Sequence, residues 1–348
     1  MATQTGITIA GPNEPYTVVN NILRPTPGPK QALVKTLYVG LNPSEPFMHH
    51  TGMLITSWPA VIGSDVSGVV LEAGADCEKI QKGGYIFTCV PVGISEFSPF
   101  QETFLVNEDW VFKKGENIGL EEACTVGAGL LTAGLALLEG QGLELPAAGS
   151  KAPQKDSWVI VMGGSGSVGR YCAQLASLAG HKVLSSCSPS KNELALRAGA
   201  SATFNNRAPI EEQLAEIERI TGGKFARIVD ASVASLDLSV RALETVSKEP
   251  VKYFATVDDW SDMTVPDSIN LYRVKLGMLG RSGDEQEHIT RKVAEMVSVF
   301  QAHINTGQLL PLDYHLVNGE GWEAIIAGVA DMEAGKLSKK PVVKAQSE

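Results

Sequence analysis

The architecture of this chain is indicated by the stretch Val159-Ile160-Val161-Met162-Gly163-Gly164-Ser165-Gly166-Ser167-Val168-Gly169. An apolar run ends at Met162, and glycines then recur in the pattern Gly164-x-Gly166-x-x-Gly169. The residues that follow place apolar side chains on one face of a predicted helix. Glycines allow a tight turn, and a helix N-terminus offers unpaired N–H groups and a positive dipole end. The pattern therefore predicts a pyrophosphate site, with a merely tight βα turn as the alternative.

Strands and helices are predicted to alternate on both sides of this turn. The strands are expected at Trp158–Met162, Lys182–Ser186, Ala226–Asp230, Val251–Thr256 and Lys275–Leu279. The helices are expected at Val168–Ala179, Lys191–Ala198, Ile210–Thr221 and Ser235–Val246, with a further amphipathic helix over 286–303. Such alternation implies right-handed crossovers and a parallel sheet. We therefore predict an α/β domain over residues 126–304, a doubly wound parallel sheet of the Rossmann type.

The first part of the chain has a different rhythm. Segments such as Ala32–Val39 and Val66–Ala73 are rich in β-formers, and proline and glycine interrupt the sequence between them. After about residue 305 the alternation of strands and helices stops, which predicts that the tail returns to the first domain. The expected second domain is mostly β and discontinuous, and comprises residues 1–125 and 305–348.

The second strand of the α/β domain distinguishes between two dinucleotides. NAD sites usually place Asp or Glu near the end of this strand, where it bonds the ribose 2′-hydroxyl. Here the chain continues Ser188-Pro189-Ser190-Lys191, and no carboxylate occurs before Glu193. Hydroxyls and an ammonium suit a 2′-phosphate, so the sequence predicts NADPH rather than NADH. Ser190 has an alternative role, because Ser190-x-x-Glu193 is also a capping box.

Asp230 is predicted to lie at the carboxyl end of its strand, on the sheet edge where ligands bind. Contact with the cofactor and a purely turn-forming role are both consistent with that position.

Composition excludes several classes of function. The chain has 348 residues, 44% hydrophobic content and a net charge of -10, which disfavours a nucleic-acid partner. No run of about 18 apolar residues is visible, and no basic segment precedes an apolar run at the N-terminus. Five cysteines form no C-x-x-C pair, which favours reduced thiols over disulfides. We expect a cytoplasmic protein without a membrane partner.

Several short segments carry a family resemblance over nearly the whole chain. Among them are Leu41–Glu45, Gly63–Val70, Phe100–Glu102, Leu130–Leu137 and Glu333–Ser338. They resemble segments of the medium-chain dehydrogenase/reductase superfamily, in its zinc-independent quinone oxidoreductase and trans-acting enoyl reductase branch. The pattern is most similar to that of the lovastatin-pathway enoyl reductase and the TOXD-like reductases.

The resemblance implies a GroES-like substrate domain around the Rossmann domain, and a partner polyketide synthase for some relatives. It assigns NADPH binding, together with the glycine turn, to Gly164, Ser165, Gly166, Ser167, Val168, Ser188, Ser190, Lys191 and Asn206. It assigns the substrate pocket to Leu130, Leu131 and Thr132. Phe47 and Met48 are expected to form an apolar wall of the same pocket, together with Trp58.

The zinc-dependent branch of this superfamily has ligands that this chain lacks. Asn42 stands where that branch has a cysteine, and Ser64-Asp65 stands where it has His-Glu. Neither an amide nor a serine hydroxyl is a usual zinc ligand, so no metal site is predicted. A conjugated C=C–C=O acceptor can be reduced without a Lewis acid, because hydrogen-bond donors stabilise the charge on its carbonyl oxygen. The sequence therefore favours enoyl or quinone substrates.

One family position is altered in this chain. Many relatives have a lysine where Phe47 stands, and a phenyl ring can neither supply a proton nor stabilise an enolate. Thr132 and His49 are our catalytic candidates, with His50, water and the cofactor's ribose hydroxyl as other proton sources. The alternatives are a solvated histidine pair in a loop and a threonine that caps a helix or serves the core.

Three functions remain open from the sequence. The first is an NADPH-dependent reductase of a conjugated C=C bond, serving a polyketide synthase in trans. The second is a reductase of free quinones or enones. The third is an NADPH-binding protein whose pocket has lost or changed the reductase chemistry.

Overall fold

A computed structural model describes residues 2–348, which form fifteen β-strands and nine α-helices. The strands are β1 (Thr3–Thr8), β2 (Thr17–Leu23), β3 (Gln31–Gly40), β4 (Asp65–Ala73), β5 (Tyr85–Cys89), β6 (Thr103–Asn107), β7 (Phe112–Lys113), β8 (Trp158–Met162), β9 (Lys182–Cys187), β10 (Ala202–Asn205), β11 (Phe225–Asp230), β12 (Lys252–Thr256), β13 (Ile269–Arg273), β14 (Tyr314–Glu320) and β15 (Lys340–Lys344). The helices are α1 (Ser44–Thr51), α2 (Leu120–Ala123), α3 (Gly127–Gly134), α4 (Ser167–Leu178), α5 (Asn192–Arg197), α6 (Ile210–Thr221), α7 (Leu236–Arg241), α8 (Asp284–Asn305) and α9 (Trp322–Glu333).

One compact unit, Gly129–Leu276, contains a six-stranded sheet in the order β10-β9-β8-β11-β12-β13. Every pair of neighbouring strands is parallel. Chain order reverses between β8 and β11, which is the switch point of a doubly wound sheet. The predicted α/β class and Rossmann topology are therefore confirmed.

The central strands of this sheet are the most apolar ones. Ile160 on β8, Ile228 on β11 and Phe254 on β12 are all fully buried in one hydrophobic cluster. Helix α4 buries a face of apolar side chains that includes Cys172 and Leu175. Because both faces of such strands are buried, their sequences are continuous apolar runs.

The last strand of the sheet does not lie where it is predicted. The chain forms β13 at Ile269–Arg273, whereas the predicted segment Lys275–Leu279 contains a 3₁₀ turn at Leu276–Met278. A turn in which the Ile269 N–H donates to the Pro266 carbonyl starts the strand earlier. The sequence pattern also misses β10, a four-residue strand with one buried side chain.

The other compact unit comprises Met1–Ala128 and Gly277–Glu348. Its seven-stranded sheet has the order β14-β15-β3-β4-β5-β7, and β6 pairs with β3. All pairs in this sheet are antiparallel except β14 with β15. Strand β15 pairs with β3, so the tail of the chain returns to the first domain. The mostly β, discontinuous character of this domain agrees with the expectation from the sequence.

The second domain boundary differs from the sequence-based one. Residues 277–304 belong to the first unit, although they are predicted to belong to the Rossmann domain. Helix α8 packs on β7, where the Gln301 side chain accepts from the Lys113 N–H at 2.7 Å and donates to its carbonyl at 3.2 Å. Asn117 also donates to the Ile304 carbonyl at 3.0 Å. These contacts are not local in sequence, so amphipathic periodicity alone does not assign the helix to a domain.

Leu120–Glu139 form a continuous run of helical segments, α2, α3 and a π-helical turn. Its 20 residues have a mean hydropathy of 1.3, so in length and composition the run passes as a membrane span. However, 78% of its most apolar window is buried inside the protein, which is typical of a core helix.

Candidate functional site

The glycine-rich turn is held tightly to the neighbouring strand β9. The Gly163 N–H donates to the Ser186 hydroxyl at 2.9 Å, and the Gly164 N–H donates to the Ser186 carbonyl at 2.8 Å. The Gly166 N–H donates to the Gly163 carbonyl at 3.0 Å and closes the turn. Gly163 has a φ of 74°, a left-handed conformation that glycine adopts without strain. The turn is therefore a rigid connection between β8 and α4.

Glycine is needed at the three positions of the pattern for different physical reasons. A Cβ on Gly164 would lie 2.4 Å from the Ser185 Cβ, and one on Gly169 would lie 2.3 Å from the Gly163 carbonyl oxygen. Gly164 is thus required where the turn contacts β9, and Gly169 is required where α4 packs on the turn. Gly166 is exposed, and a Cβ there would meet nothing nearer than 3.4 Å. Its open side is where a ligand can approach the backbone.

The N-terminus of α4 fits an anion. Gly166 is the N-cap residue and offers no side-chain cap, and the first turn contains no acidic residue. The N–H groups of Ser167, Val168 and Gly169 point out of the first turn, and no intrahelical acceptor serves them. Unpaired N–H groups at the positive end of the helix dipole are the donors that a pyrophosphate requires. The predicted residues Gly164–Val168 therefore lie together at one helix end.

The end of β9 carries hydroxyls and an ammonium. Ser188 is buried, and its hydroxyl lies 3.3 Å from that of the exposed Ser190. Lys191 is half-buried and follows in the same short 3₁₀ turn, Pro189–Lys191. Asn206 is exposed after β10, and its N–H donates to the Cys187 carbonyl at 3.2 Å. These four residues, which are predicted to contact NADPH, thus lie at the carboxyl ends of two adjacent strands.

The structure does not contain the capping box that was the alternative role of Ser190. Helix α5 begins at Asn192, its N-cap residue is Lys191, and no side chain caps it. The 3₁₀ turn places Ser190 before the cap position, so its hydroxyl bonds only Ser188 among the described residues.

Asp230 has the turn-forming role. Its carboxylate accepts from the Ser232 N–H at 2.9 Å, the Ser232 hydroxyl at 2.6 Å and the Ser235 N–H at 3.0 Å. The side chain is buried and organises the loop after β11, which leaves it little capacity to bind a cofactor directly.

A second polar cluster is buried in the first unit and comprises Asn42, Glu45, Ser64, Asp65 and Lys340. The Lys340 ammonium donates to Asn42 Oδ1 at 2.5 Å and to Asp65 Oδ2 at 2.7 Å. The Asn42 amide donates to Ser64 Oγ at 2.9 Å, and the Ser64 hydroxyl donates to Glu45 Oε1 at 2.5 Å. Glu45 Oε2 accepts from the Asn42 N–H at 2.5 Å. The cluster holds two carboxyl groups and one ammonium.

Glu45 is the carboxyl of this cluster that lacks a direct cation partner. Its burial raises its pKa from 4.5 to about 7, against the opposing effects of the Ser64 hydroxyl and the Lys340 charge. Asp65, in contrast, forms an ion pair with Lys340 in which both side chains are buried. The pair fixes β15 to the start of β4.

The same cluster is a poor zinc site. Asn42 and Ser64, which stand at the ligand positions of the zinc-dependent branch, supply an amide and a hydroxyl instead of a thiolate and an imidazole. The Lys340 ammonium lies between Asn42 and Asp65, and its charge repels a divalent cation. The residues present therefore do not fit a zinc ion.

The predicted residues of α1 have unequal exposure. Met48 is fully buried in the hydrophobic core of the first unit, whereas Phe47 is half-buried. His49 Nε2 lies 2.7 Å from the Glu14 carbonyl oxygen, so this nitrogen carries the proton, and Nδ1 has no hydrogen-bond partner among the described residues. Both nitrogens of His50 are engaged, with Asn13 Oδ1 at 2.8 Å and Glu333 Oε1 at 2.5 Å. Of the two histidines, His49 has the free nitrogen.

The other predicted pocket residues lie on α3. Leu130 and Leu131 are fully buried, and Thr132 is half-buried in the interior of the helix. Thr132 is therefore not a helix cap. Its hydroxyl has no hydrogen-bond partner in the part of the chain that the structure describes, so it is available as a donor.

Lys340 is the site residue that the sequence pattern does not indicate. It lies 275 residues from Asp65 in the chain, and the charged segment Lys339-Lys340-Pro341 is expected to be exposed. Only the pairing of β15 with β3 places it beside Asn42 and Asp65.

Comparison with known proteins agrees with this fold. Residues 28–116 match the family described as the alcohol dehydrogenase GroES-like domain. An alcohol dehydrogenase superfamily protein from Novosphingobium aromaticivorans has the same fold, with a TM-score of 0.78, 19% identity, and coverage of 99% of this chain and 100% of that one. The predicted resemblance to the medium-chain dehydrogenase/reductases is thus confirmed.

The chain is also similar, over most of its length, to curated fungal proteins. It is 28% identical to trans-enoyl reductase caaB of Aspergillus niger, over 94% of this chain and 92% of that protein. It is 28% identical to trans-enoyl reductase RAP2 of Pyricularia oryzae, over 93% of each. The crystal structure of CurK enoyl reductase superposes with a TM-score of 0.72 at 18% identity, and 99% of each chain is covered.

Proposed function

We propose that this protein is an NADPH-dependent reductase of a conjugated carbon–carbon double bond, in an enoyl thioester or an enone. The observation that carries the proposal is the uncapped N-terminus of α4 behind the open Gly166. It suits a dinucleotide pyrophosphate, and β9 ends without the carboxylate of an NAD site. The similarity to two fungal trans-enoyl reductases supports the same reaction class.

The chain's own residues have defined tasks in this reaction. NADPH, when bound, supplies a hydride to the β carbon, and negative charge then develops on the carbonyl oxygen. The Thr132 hydroxyl, which bonds to none of the described residues, donates a hydrogen bond to that oxygen. In its doubly protonated form His49 carries the proton for the α carbon on Nδ1, while its Nε2–H donates to the Glu14 carbonyl and fixes the ring orientation. Phe47 is half-buried and offers apolar surface to a substrate, whereas the predicted Met48, Leu130 and Leu131 are fully buried.

The proposed reaction does not depend on zinc. The buried Lys340 ammonium fills the position beside Asn42 and Asp65 with positive charge. Charge on the substrate oxygen is therefore stabilised by hydrogen-bond donors instead of a Lewis acid.

We propose further that the protein acts in trans on chains carried by a polyketide synthase, in the cytoplasm and as part of secondary metabolism. The relatives' names support this, since several are trans-enoyl reductases.

The test is NADPH oxidation by the purified full chain with enoyl N-acetylcysteamine thioesters of several lengths, beside free quinones. Turnover of the thioesters supports the proposal, and turnover of quinones alone supports the second candidate, a free quinone reductase. Tight NADPH binding with no turnover of any acceptor contradicts both reductases and supports a changed chemistry.

Two variants test the assigned roles. Thr132→Val removes the hydroxyl at similar volume and is expected to lower kcat by about 100-fold. His49→Gln is expected to lower kcat by a similar or smaller factor, about 10². His50→Gln is the matched control, because both His50 nitrogens already have partners. If all three variants keep the wild-type kcat, the role assignments are wrong although the reductase itself stands.

A further inference from the structure

We propose that Arg207 binds the 2′-phosphate of the coenzyme and is a specificity-determining residue for NADPH over NADH. The inference rests on the proposed NADPH dependence and adds a residue that neither the sequence pattern nor the family resemblance indicates.

The first argument is where Arg207 leaves the sheet. Strand β10 is parallel to β9, and Asn205 is the register partner of Cys187. The Asn206 N–H extends the pairing by one more bond, to the Cys187 carbonyl. The Arg207 N–H then donates to Asn205 Oδ1 at 3.0 Å, which fixes the turn. Arg207 therefore begins at the same sheet edge as Ser188 and the residues after it.

The second argument is the balance of charge at this edge. The helices that follow the two strands neutralise their own exposed arginines: Arg197 pairs with Glu193 on α5, and Arg219 pairs with Glu216 on α6. Lys191 and Arg207 have no carboxylate partner in the part of the chain that the structure describes. The chain as a whole has a net charge of -10, so two cations without a carboxylate partner at one sheet edge form a local positive site. Such a pair attracts an anion locally while the rest of the surface repels it.

The third argument is the chemistry of the groups. A phosphate monoester near neutral pH is close to a dianion with three acceptor oxygens. Two cations and the Ser188 and Ser190 hydroxyls complement both its charge and its acceptors. The Arg207 side chain is exposed and free to move, and its planar guanidinium can bind two phosphate oxygens at once. A lysine alone presents only a point charge.

The experiment is measurement of Kd for NADPH and for NADH by coenzyme fluorescence, on the wild type and on Arg207→Gln. The variant is expected to bind NADPH at least about tenfold more weakly, since a charged hydrogen bond is worth about 1.5–3 kcal/mol. The Kd of NADH is expected to stay unchanged. Arg207→Lys keeps the charge and should fall between the wild type and Arg207→Gln.

Arg197→Gln is the matched control, because it removes one exposed, carboxylate-paired arginine and changes the net charge by the same amount. It is expected to leave both Kd values unchanged. The role of Arg207 is overturned if Arg207→Gln weakens the binding of NADPH and NADH equally, or if it does not weaken NADPH binding at all. In either case, a wild type that prefers NADPH still supports the proposed cofactor. A wild type that binds the two coenzymes equally overturns the cofactor proposal and this inference together.

Discussion

The stability of the first unit is expected to fall as pH rises through neutrality, because of Glu45. Its carboxyl group is fully buried, and its pKa is raised from 4.5 to about 7. A raised pKa means that the folded state binds this proton more tightly than the unfolded chain does. The stabilisation is therefore complete below about pH 4.5 and is lost as pH rises through the folded-state pKa.

The magnitude follows from the two pKa values. The difference between 4.5 and about 7 corresponds to about 3 kcal/mol, since a tenfold change in proton affinity is worth about 1.4 kcal/mol. Most of it, about 2–3 kcal/mol, is lost between about pH 5 and pH 8. Glu45→Gln removes the titrating group at nearly the same volume. The glutamine can still accept from the Asn42 N–H and can donate to Ser64, whose hydroxyl can rotate to accept.

The assay is hydrogen exchange of the Asn42 amide, whose N–H donates to Glu45, together with urea unfolding of both proteins across this pH range. The free energy of unfolding of the wild type should fall by about 2–3 kcal/mol relative to that of Glu45→Gln as pH rises. Exchange must be corrected for its intrinsic pH dependence, which is the same in both proteins. If the two stability profiles run parallel from pH 5 to pH 8, Glu45 does not titrate as argued.

Two further predictions concern the packing of the glycine turn and the buried ion pair of Lys340 with Asp65. Gly166→Ala should keep the wild-type melting temperature and weaken NADPH binding, because a Cβ there has free space but faces the ligand side. Gly169→Ala should instead lower the melting temperature, because its Cβ would lie 2.3 Å from a carbonyl oxygen. Equal melting temperatures for Gly166→Ala and Gly169→Ala would refute this distinction. Lys340→Met should cost about 3–5 kcal/mol in urea unfolding, since it leaves a buried carboxylate unpaired, and adding Asp65→Asn should recover part of that loss. Additive losses in the double variant would show that the ion pair is not the cause.

The glycine turn and the central strands could be predicted because their signals are local. Gly164 and Gly169 are required by contacts within 25 residues of the turn, and the apolar runs of β8, β11 and β12 are buried on both faces. The missing carboxylate after β9 is likewise visible in a few consecutive residues. These features determine the fold class and the kind of ligand that the α/β domain is predicted to bind.

The misplaced and missed strands are the two edges of the same sheet. Strands β10 and β13 each have one neighbour, and each buries a single side chain, Phe204 and Ile269 respectively. An edge strand needs fewer apolar residues than a central one, so its hydrophobic pattern is weak. The real position of β13 depends on pairing with β12, which is not a property of the segment itself.

The sequence by itself determined the alternation of strands and helices, the glycine turn and the absence of the usual zinc ligands, because each depends on neighbouring residues. Tertiary structure alone decided that α8 belongs to the first unit and that Lys340 lies between Asn42 and Asp65. It also decided that Asp230 serves a turn, and that Lys191 and Arg207 have no carboxylate partner among residues 2–348. Burial, and the pairing of charges far apart in the chain, depend on which strands meet, and no short stretch of sequence contains that information.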